Sequence, residues 1–282
     1  MKCALALAAS TVGAAAVANI FAVDGHDPRH YITPGTVEAR ALLPVGSVTA
    51  DFTLRNLRAP GGVGSGEGTA FMVSPCYALT AYHVLFGSGA LTLNPMGNYP
   101  VTLRFGGDAD GRPTLLVKGR VRFWGSTSRA APDVALILLD GCPGRQIGWY
   151  ELAAPEPNPD RAIATARVVM PGYAHDRSMR RLSVQSDCRI HAALPARGWL
   201  LHDCASREGA SGAPLLARHG DRTVVVGVNA GEFDAQTAVQ PGFTPARANW
   251  AISSTELRAT PRLSAMIARD QHRAGITNPL GG

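Results

Sequence analysis

The chain has 282 residues, 46% of them apolar and 17% charged, with a formal net charge of +6. That balance excludes a disordered or collagen-like chain and leaves room for one two-barrel enzyme or two small domains. Lys2 and Lys118 are the only lysines, and the arginines are scattered, with Met179-Arg180-Arg181 the densest point. Charge dispersed in this way reads as a solvated surface and not as a nucleic-acid groove.

Residues 1–18 carry one lysine, an alanine- and leucine-rich run and the A-x-A site Ala16-Val17-Ala18. This is the layout of a secretory signal, too short to span a membrane. Cleavage after Ala22, leaving Val23 at the new terminus, is the alternative. Cys3 departs with the signal, and no later stretch reaches the roughly 18 uninterrupted apolar residues of a membrane span. The mature chain is therefore expected to be soluble and exported, secreted or periplasmic. Residues 19–43 form an arm ahead of the first barrel.

From residue 44, short apolar runs bounded by Gly, Pro, Asn or Asp predict strands at 47–57, 68–74, 77–82, 90–93, 101–105, 115–124 and 133–139. Gly61-Gly62-Val63-Gly64-Ser65-Gly66 has the glycine density of a phosphate loop. It lacks the Lys-Ser/Thr and opens no helix, so it reads as a hairpin loop. Pro155-Glu156-Pro157-Asn158-Pro159 marks a stiff linker within 153–161, separating a first unit, 44–152, from a second, 162–254. The second unit's strands are predicted at 162–170, 182–190, 198–203, 213–217, 222–230 and 247–253. Short, evenly spaced strands without long helical periodicity argue an all-β fold. Residues 254–268 then predict a helix, capped by Ser254, with Glu256 in its first turn and Leu257, Leu263, Met266 and Ile267 as apolar positions. Pro261 limits it, and residues 255–282 make up the C-terminal helix and tail.

The chemistry gathers in Arg207-Glu208-Gly209-Ala210-Ser211-Gly212-Ala213-Pro214, a glycine-flanked turn feeding an apolar strand. Gly209 and Gly212 permit backbone conformations closed to other residues, exposing the Ser211 hydroxyl and aiming the N–H groups of Gly209 and Ser211 the same way. A nucleophile beside two convergent donors is what acyl transfer needs. Such a serine also requires a base, and the base an acid. Thr80-Ala81-Tyr82-His83 ends one apolar run, and Asp133 heads the run Val134-Ala135-Leu136-Ile137-Leu138-Leu139. As structural alternatives, His83 could be an ordinary surface histidine and Asp133 a turn cap. Asp108 and Asp110, in a glycine-rich loop, are the lesser candidates for the role.

The order His, Asp, Ser is that of the chymotrypsin arrangement. T-A-x-H, D-V-A-L and G-x-S-G-x-P together resemble the trypsin/chymotrypsin-fold serine peptidases, and among them the bacterial V8-like (glutamyl endopeptidase-like) branch. Gly68-Thr69-Ala70-Phe71-Met72-Val73 is similar to that branch's G-T-G-F-x-V strand, and His202-Asp203-Cys204 to its H-D-C. Val23 to His30 resembles its D-R-containing mature N-termini, with Pro28 inserted; an exposed arm is the plainer reading. The resemblance spans roughly 23–256. It implies two six-stranded antiparallel β-barrels with a C-terminal helix and a cleft between them, His83 and Asp133 on the first barrel and Ser211 on the second. It further implies a serine endopeptidase acting on protein or peptide substrates without a cofactor. Ala210 stands where trypsin-like zymogens carry the aspartate that pairs with the freed N-terminus, which removes that switch. A catalytically silent homologue used for binding, and an esterase with the same nucleophile, are the rival readings.

Cys76, Cys142, Cys188 and Cys204 remain after processing, and an even number in an exported chain suggests disulfides with three possible pairings. If His83 and Asp133 meet, the strands leading to one and leaving the other run antiparallel, which brings Cys76 near Cys142. Cys188 and Cys204 then face each other across a hairpin centred near Ala196. The wide loop would stabilise by about 4 kcal/mol and the hairpin by about 3. Cys188, His191, His202 and Cys204 also offer a tetrahedral zinc set. Strand alternation turns each histidine away from its cysteine, so no metal is expected.

The resemblance implies a specificity pocket lined by residues just before Ser211 and by the strand after it: here Ala205, Ser206, Asn229, Ala230, Gly231 and Glu232. Ala205 stands where trypsin-like enzymes hold an aspartate, and Asn229 where glutamyl endopeptidases carry a histidine. Ser206 supplies no positive charge, and a buried substrate carboxylate without a cation costs several kcal/mol. The expected preference is for uncharged small or medium side chains at P1; Glu232, if it points inward, would disfavour acids further and draw a basic side chain to the rim.

Overall fold

The computed structural model describes residues 19–22, 24–52, 64–87, 100–128, 131–155, 167–236, 238–273 and 277–280. The signal segment, the start of the glycine hairpin loop, the predicted strand at 90–93 and the linker beyond Pro155 lie outside these residues.

Six strands close the first barrel: β2 (Val45–Phe52), β3 (Gly64–Met72), β4 (Tyr77–Thr80), β5 (Val101–Phe105), β6 (Leu115–Trp124) and β7 (Ala135–Leu139). They run in the order β2-β3-β4-β7-β6-β5, all antiparallel, with β5 returning to β2. Alternation decides which side chains fill the barrel: along β5, Val101, Leu103 and Phe105 are buried while Thr102 and Arg104 are partly exposed. β7 breaks that alternation. Ala135, Ile137 and Leu139 fill the barrel, while Leu136 joins a second core shared with the other barrel. A strand buried on both faces needs a continuous apolar run, as this one has.

The second barrel closes through β9 (Arg167–Gly172), β10 (Ser183–Leu194), β11 (Trp199–His202), β14 (Asn249–Ser253), β13 (Arg222–Glu232) and β12 (Pro214–His219), again antiparallel. Its interior packs around Val168, Met170, Cys188, Cys204 and Leu215. Two short strands that the sequence did not signal add to its outside. β1 (His30–Tyr31) pairs with β10, and β8 (Glu151–Leu152) pairs with β13 in parallel. The arm is thus built into the fold, and Arg29 within it is only 7% exposed.

The C-terminal segment forms two helices, Ser254–Ala259 and Pro261–Gln271. Pro261 opens the second, where its missing N–H has no intrahelical partner to lose. The cap of the first is Ser253, not the expected Ser254: Ser253 ends β14 in an extended conformation, and its side chain accepts from the Glu256 N–H. The second helix pins itself to the first barrel through Asp270, whose Oδ2 accepts from Ser74 Oγ at 2.8 Å and from the Cys76 N–H at 2.7 Å. No helix among the described residues is long and apolar enough to cross a membrane.

Candidate active site

His83 lies in the short helix Tyr82–Phe86 directly after β4, and Asp133 lies two residues before β7. The β4–β7 register, Thr80 opposite Ala135, brings both to the same end of the ladder. Asp133 is 7% exposed and grips His83 twice. Its Oδ2 bonds the imidazole Nδ1 at 2.8 Å, and its Oδ1 accepts the His83 backbone N–H at 3.0 Å. A carboxylate at Nδ1 selects the tautomer that leaves Nε2 as the proton acceptor.

Ser211 sits on the turn before β12. Gly209 and Gly212 have φ of +92° and +85°, in the left-handed region. Within the turn the Ala210 N–H donates to Arg207 O and the Ala213 N–H to Ala210 O, and the Gly212 N–H donates across to Asn229 O on β13. The N–H groups of Gly209 and Ser211 have no hydrogen-bond acceptor among the described residues. The turn meets the first barrel closely. The Thr69 N–H donates to Ser211 O at 2.9 Å, and a Cβ on Gly212 would come within 2.1 Å of Thr69 O. A Cβ on Gly68 would touch both Val84, the neighbour of His83, and Ser211 O. The turn therefore abuts the segment carrying His83. No hydrogen bond joins Ser211 Oγ to His83 among the described residues, and in unliganded sites such bonds commonly tighten only with substrate.

Thr69 is the residue whose importance the sequence did not reveal. It is fully buried, and its Oγ1 donates to Gly209 O at 3.0 Å while accepting the Tyr173 N–H at 2.9 Å. Its own carbonyl accepts from Thr80 Oγ1 at 2.7 Å. One side chain thus fixes the serine turn against both barrels. Its signal was its place in Gly68-Thr69-Ala70-Phe71, a strand motif legible only by resemblance.

The predicted pocket residues are braced from behind. The Ala205 N–H donates to the buried Gln185 Oε1 at 2.6 Å. Asn229, 1% exposed, spends its amide hydrogens on Ser206 Oγ at 3.1 Å and Ala210 O at 3.0 Å. Ala230 is buried, and Gly231 lies against the Trp250 indole. Glu232 is half-buried at the end of β13; burial raises its carboxyl above the ordinary value, opposed by the charge of His83. Behind Asn229 sits His202, wholly buried, which faces the Asn229 side chain and the Trp250 backbone without a hydrogen bond of good geometry. Burial pushes its imidazole down to about 3, so it is neutral at physiological pH.

The disulfides are Cys76–Cys142 and Cys188–Cys204. The first ties the ends of β4 and β7 remote from His83 and Asp133. Around the second, the four zinc-type side chains part company. His191 Nε2 bonds Asp203 Oδ2 at 2.8 Å and its ring stacks on Phe243, whereas His202 turns into the core. Asp203 lies near both sulfurs, but these are bonded to each other.

Comparison with known proteins agrees with this architecture. The family described as Trypsin-like peptidase domain matches residues 68–228, more than half of the chain and inclusive of His83, Asp133 and Ser211. Among solved structures, a Glu endopeptidase in complex with MPD aligns with a TM-score of 0.57 at 13% identity, covering 88% of this chain and 99% of its own. The protease Anisep from Arthrobacter nicotinovorans aligns with a TM-score of 0.53 at 11% identity, covering 80% and 93%. At such identities these two likenesses concern the fold alone. No curated protein matches the chain significantly.

Proposed function

The chain belongs to the trypsin-like peptidase domain family, and from that premise we propose that it is an exported serine endopeptidase working through His83, Asp133 and Ser211. The observation that carries this reading is the double hold of Asp133 on His83, beside a serine turn whose Gly209 and Ser211 N–H groups are unspent. Ser211 Oγ attacks the substrate carbonyl while His83 Nε2 takes its proton. The resulting oxyanion is received by the two N–H groups. Collapse breaks the C–N bond, His83 returns the proton to the leaving amine, and an acyl group remains on Ser211. Water, deprotonated by the same imidazole, then releases the acid. Asp133 stays ionised throughout and stabilises the imidazolium.

The pocket supports a preference for uncharged small or medium P1 side chains. The Asn229 hydrogens are already committed to Ser206 and Ala210, and no cation lies among the predicted lining residues. A substrate carboxylate would be buried unpaired, at a cost of several kcal/mol. Export rests on the signal-like residues 1–18 and accords with the two disulfides.

The test is labelling with a serine-directed fluorophosphonate. The wild type should label, and Ser211→Ala should not, with turnover falling on the order of a million-fold. Label retained on the alanine variant would sink the assignment of Ser211. Cleavage of small esters but of no peptide would favour the esterase. Profiling on a peptide library reads P1, and dominant cleavage after Glu would refute the pocket argument.

A further inference from the structure

Four residues that follow the signal-like segment are woven into the second barrel at the back of the pocket. Asn19 is fully buried, and Ile20 and Phe21 are 2% and 7% exposed. Asn19 uses almost every polar atom it has. Its Nδ2 donates to Phe233 O at 2.8 Å and Arg247 O at 2.7 Å, and its Oδ1 accepts the Gln236 N–H at 3.2 Å. Its carbonyl accepts from the Ser206 N–H at 3.0 Å and from Asn249 Nδ2 at 2.9 Å, the latter amide also reaching Cys204 O. Ile20 O accepts the Gln240 N–H, and the Ala22 N–H donates to Gln240 O, so the segment runs on as a short parallel bridge.

These partners are not a random sample of the surface. Cys204 and Ser206 belong to the wall that precedes Ser211, Phe233 follows Glu232 at the end of the opposite wall, Arg247 ends the 3-10 turn Pro245–Arg247 just before β14, and Asn249 opens that strand. A single buried carboxamide and its own carbonyl therefore join the segment before Ser211 to the end of β13 and the start of β14. Removing the residue would leave the buried Ser206 N–H and Asn249 amide on one side, and the part-buried Phe233 and Arg247 carbonyls on the other, without these partners, and polar groups withdrawn from water are paired in native proteins. Of the two cleavage points open to the sequence, only the earlier one retains this clamp.

Resting on the peptidase reading above, we propose that processing falls between Ala18 and Asn19, and that Asn19 is a positioning residue for the specificity pocket. The processing step is a hydrolysis: one water is consumed by a signal peptidase, the Ala18–Asn19 amide breaks, and an Ala18 carboxylate and an Asn19 α-amine result. Asn19 touches no reacting atom. It acts by holding Ser206 and the Phe233 end of β13 at the distance that a P1 side chain requires.

The experiment has two arms on the full chain, produced with its own residues 1–18 in an exporting bacterial host. Intact mass and N-terminal sequencing of the exported enzyme should show a chain starting at Asn19. An active enzyme starting at Val23, or at any residue after Asn19, overturns the proposal. In the second arm Asn19→Ala, and the milder Asn19→Ser should the first not fold, are assayed on two substrates. One is a peptidyl p-nitroanilide matched to the wild type's own P1 preference; the other is p-nitrophenyl acetate, which places no side chain in the pocket. The peptide's kcat/KM should fall on the order of 10- to 100-fold, chiefly through KM. Acetate hydrolysis and the rate of fluorophosphonate labelling should stay within about twofold, because the triad and its oxyanion donors are untouched. Equal losses on both substrates, or none on either, would reduce Asn19 to a packing residue and end the proposal. Should the wild type neither label nor cut peptides, the peptidase reading fails, while the terminus measured in the first arm still stands or falls independently.

Discussion

The two barrels hold their share of the site by different means. In the first, strand register does the work: β4 and β7 lie side by side, so the residues just after one and just before the other meet, and Asp133 seizes His83 at two atoms. These contacts are between neighbours in one sheet. The second barrel presents Ser211 on a turn whose own bonds are few, and the turn is fixed by groups distant in sequence. Thr69 reaches it from the first barrel, Met179 and the Tyr173 carbonyl fill the space that a Cβ on Gly209 would need, and the Asn19 carbonyl accepts the Ser206 N–H behind it. The arm adds to this support. Arg29 pairs with Asp27 and with Asp176, in the 3-10 turn His175–Arg177, whose His175 N–H donates to Glu208 O. A rigid pair on one barrel and a propped serine turn on the other teach that mutational sensitivity should be local on the first barrel and dispersed on the second.

The largest expected effect tests the local side. Asp133→Asn should lower kcat by about 10⁴-fold with little change in melting temperature, since the loss is of the imidazole's tautomer and not of packing. A comparable collapse in stability would show that the pair holds the barrel as well as the chemistry. Next comes Gly212→Ala, which forces a Cβ to within 2.1 Å of Thr69 O at a φ of +85°. It should cost about 3 kcal/mol or more in urea unfolding and abolish most activity. An active, stable Gly212→Ala enzyme would mean that the turn tolerates movement against the first barrel.

Thr69→Val keeps the side chain's shape and removes the hydroxyl that joins Gly209 O to the Tyr173 N–H. The loss should be about 2 kcal/mol of stability, with a fall in kcat that exceeds any change in KM, because the oxyanion donors are displaced. Unchanged kcat would remove Thr69 from the dispersed support. The smallest effect concerns the arm. Burial works to raise the Asp27 carboxyl, but the hydrogen bonds and charge of Arg29, with Arg177, overcome it and hold it at about 2 against an ordinary 3.8. A depressed carboxylate stabilises the fold fully above 3.8 and loses that contribution as the pH falls through about 2. Asp27→Asn should therefore cost on the order of 1 kcal/mol at neutral pH and next to nothing near pH 2, read from thermal melts at the two values.

By itself the sequence determined what repeats or stands next to its partner along the chain. Short apolar runs, the continuous one at 133–139 among them, and turn residues at regular spacing announced an all-β chain, because strands are short and end at residues that turn the backbone. Gly209 and Gly212 announced the serine turn, because few other residues take its backbone angles. Boundaries went astray where a neighbour decided them: Ser253 caps the helix in place of Ser254 because β14 runs up to it, and β1 and β8 exist only because β10 and β13 offer them an edge. Only the tertiary structure decided the supports of the Ser211 turn and of the proposed pocket. Thr69 and Gly209 are 140 residues apart, and the Asn19 and Phe233 groups that bond are 214 apart. No local periodicity can encode such a pairing, because it is fixed by how two closed barrels pack, and a buried threonine or asparagine looks the same in sequence whether it supports a catalytic turn or fills a wall.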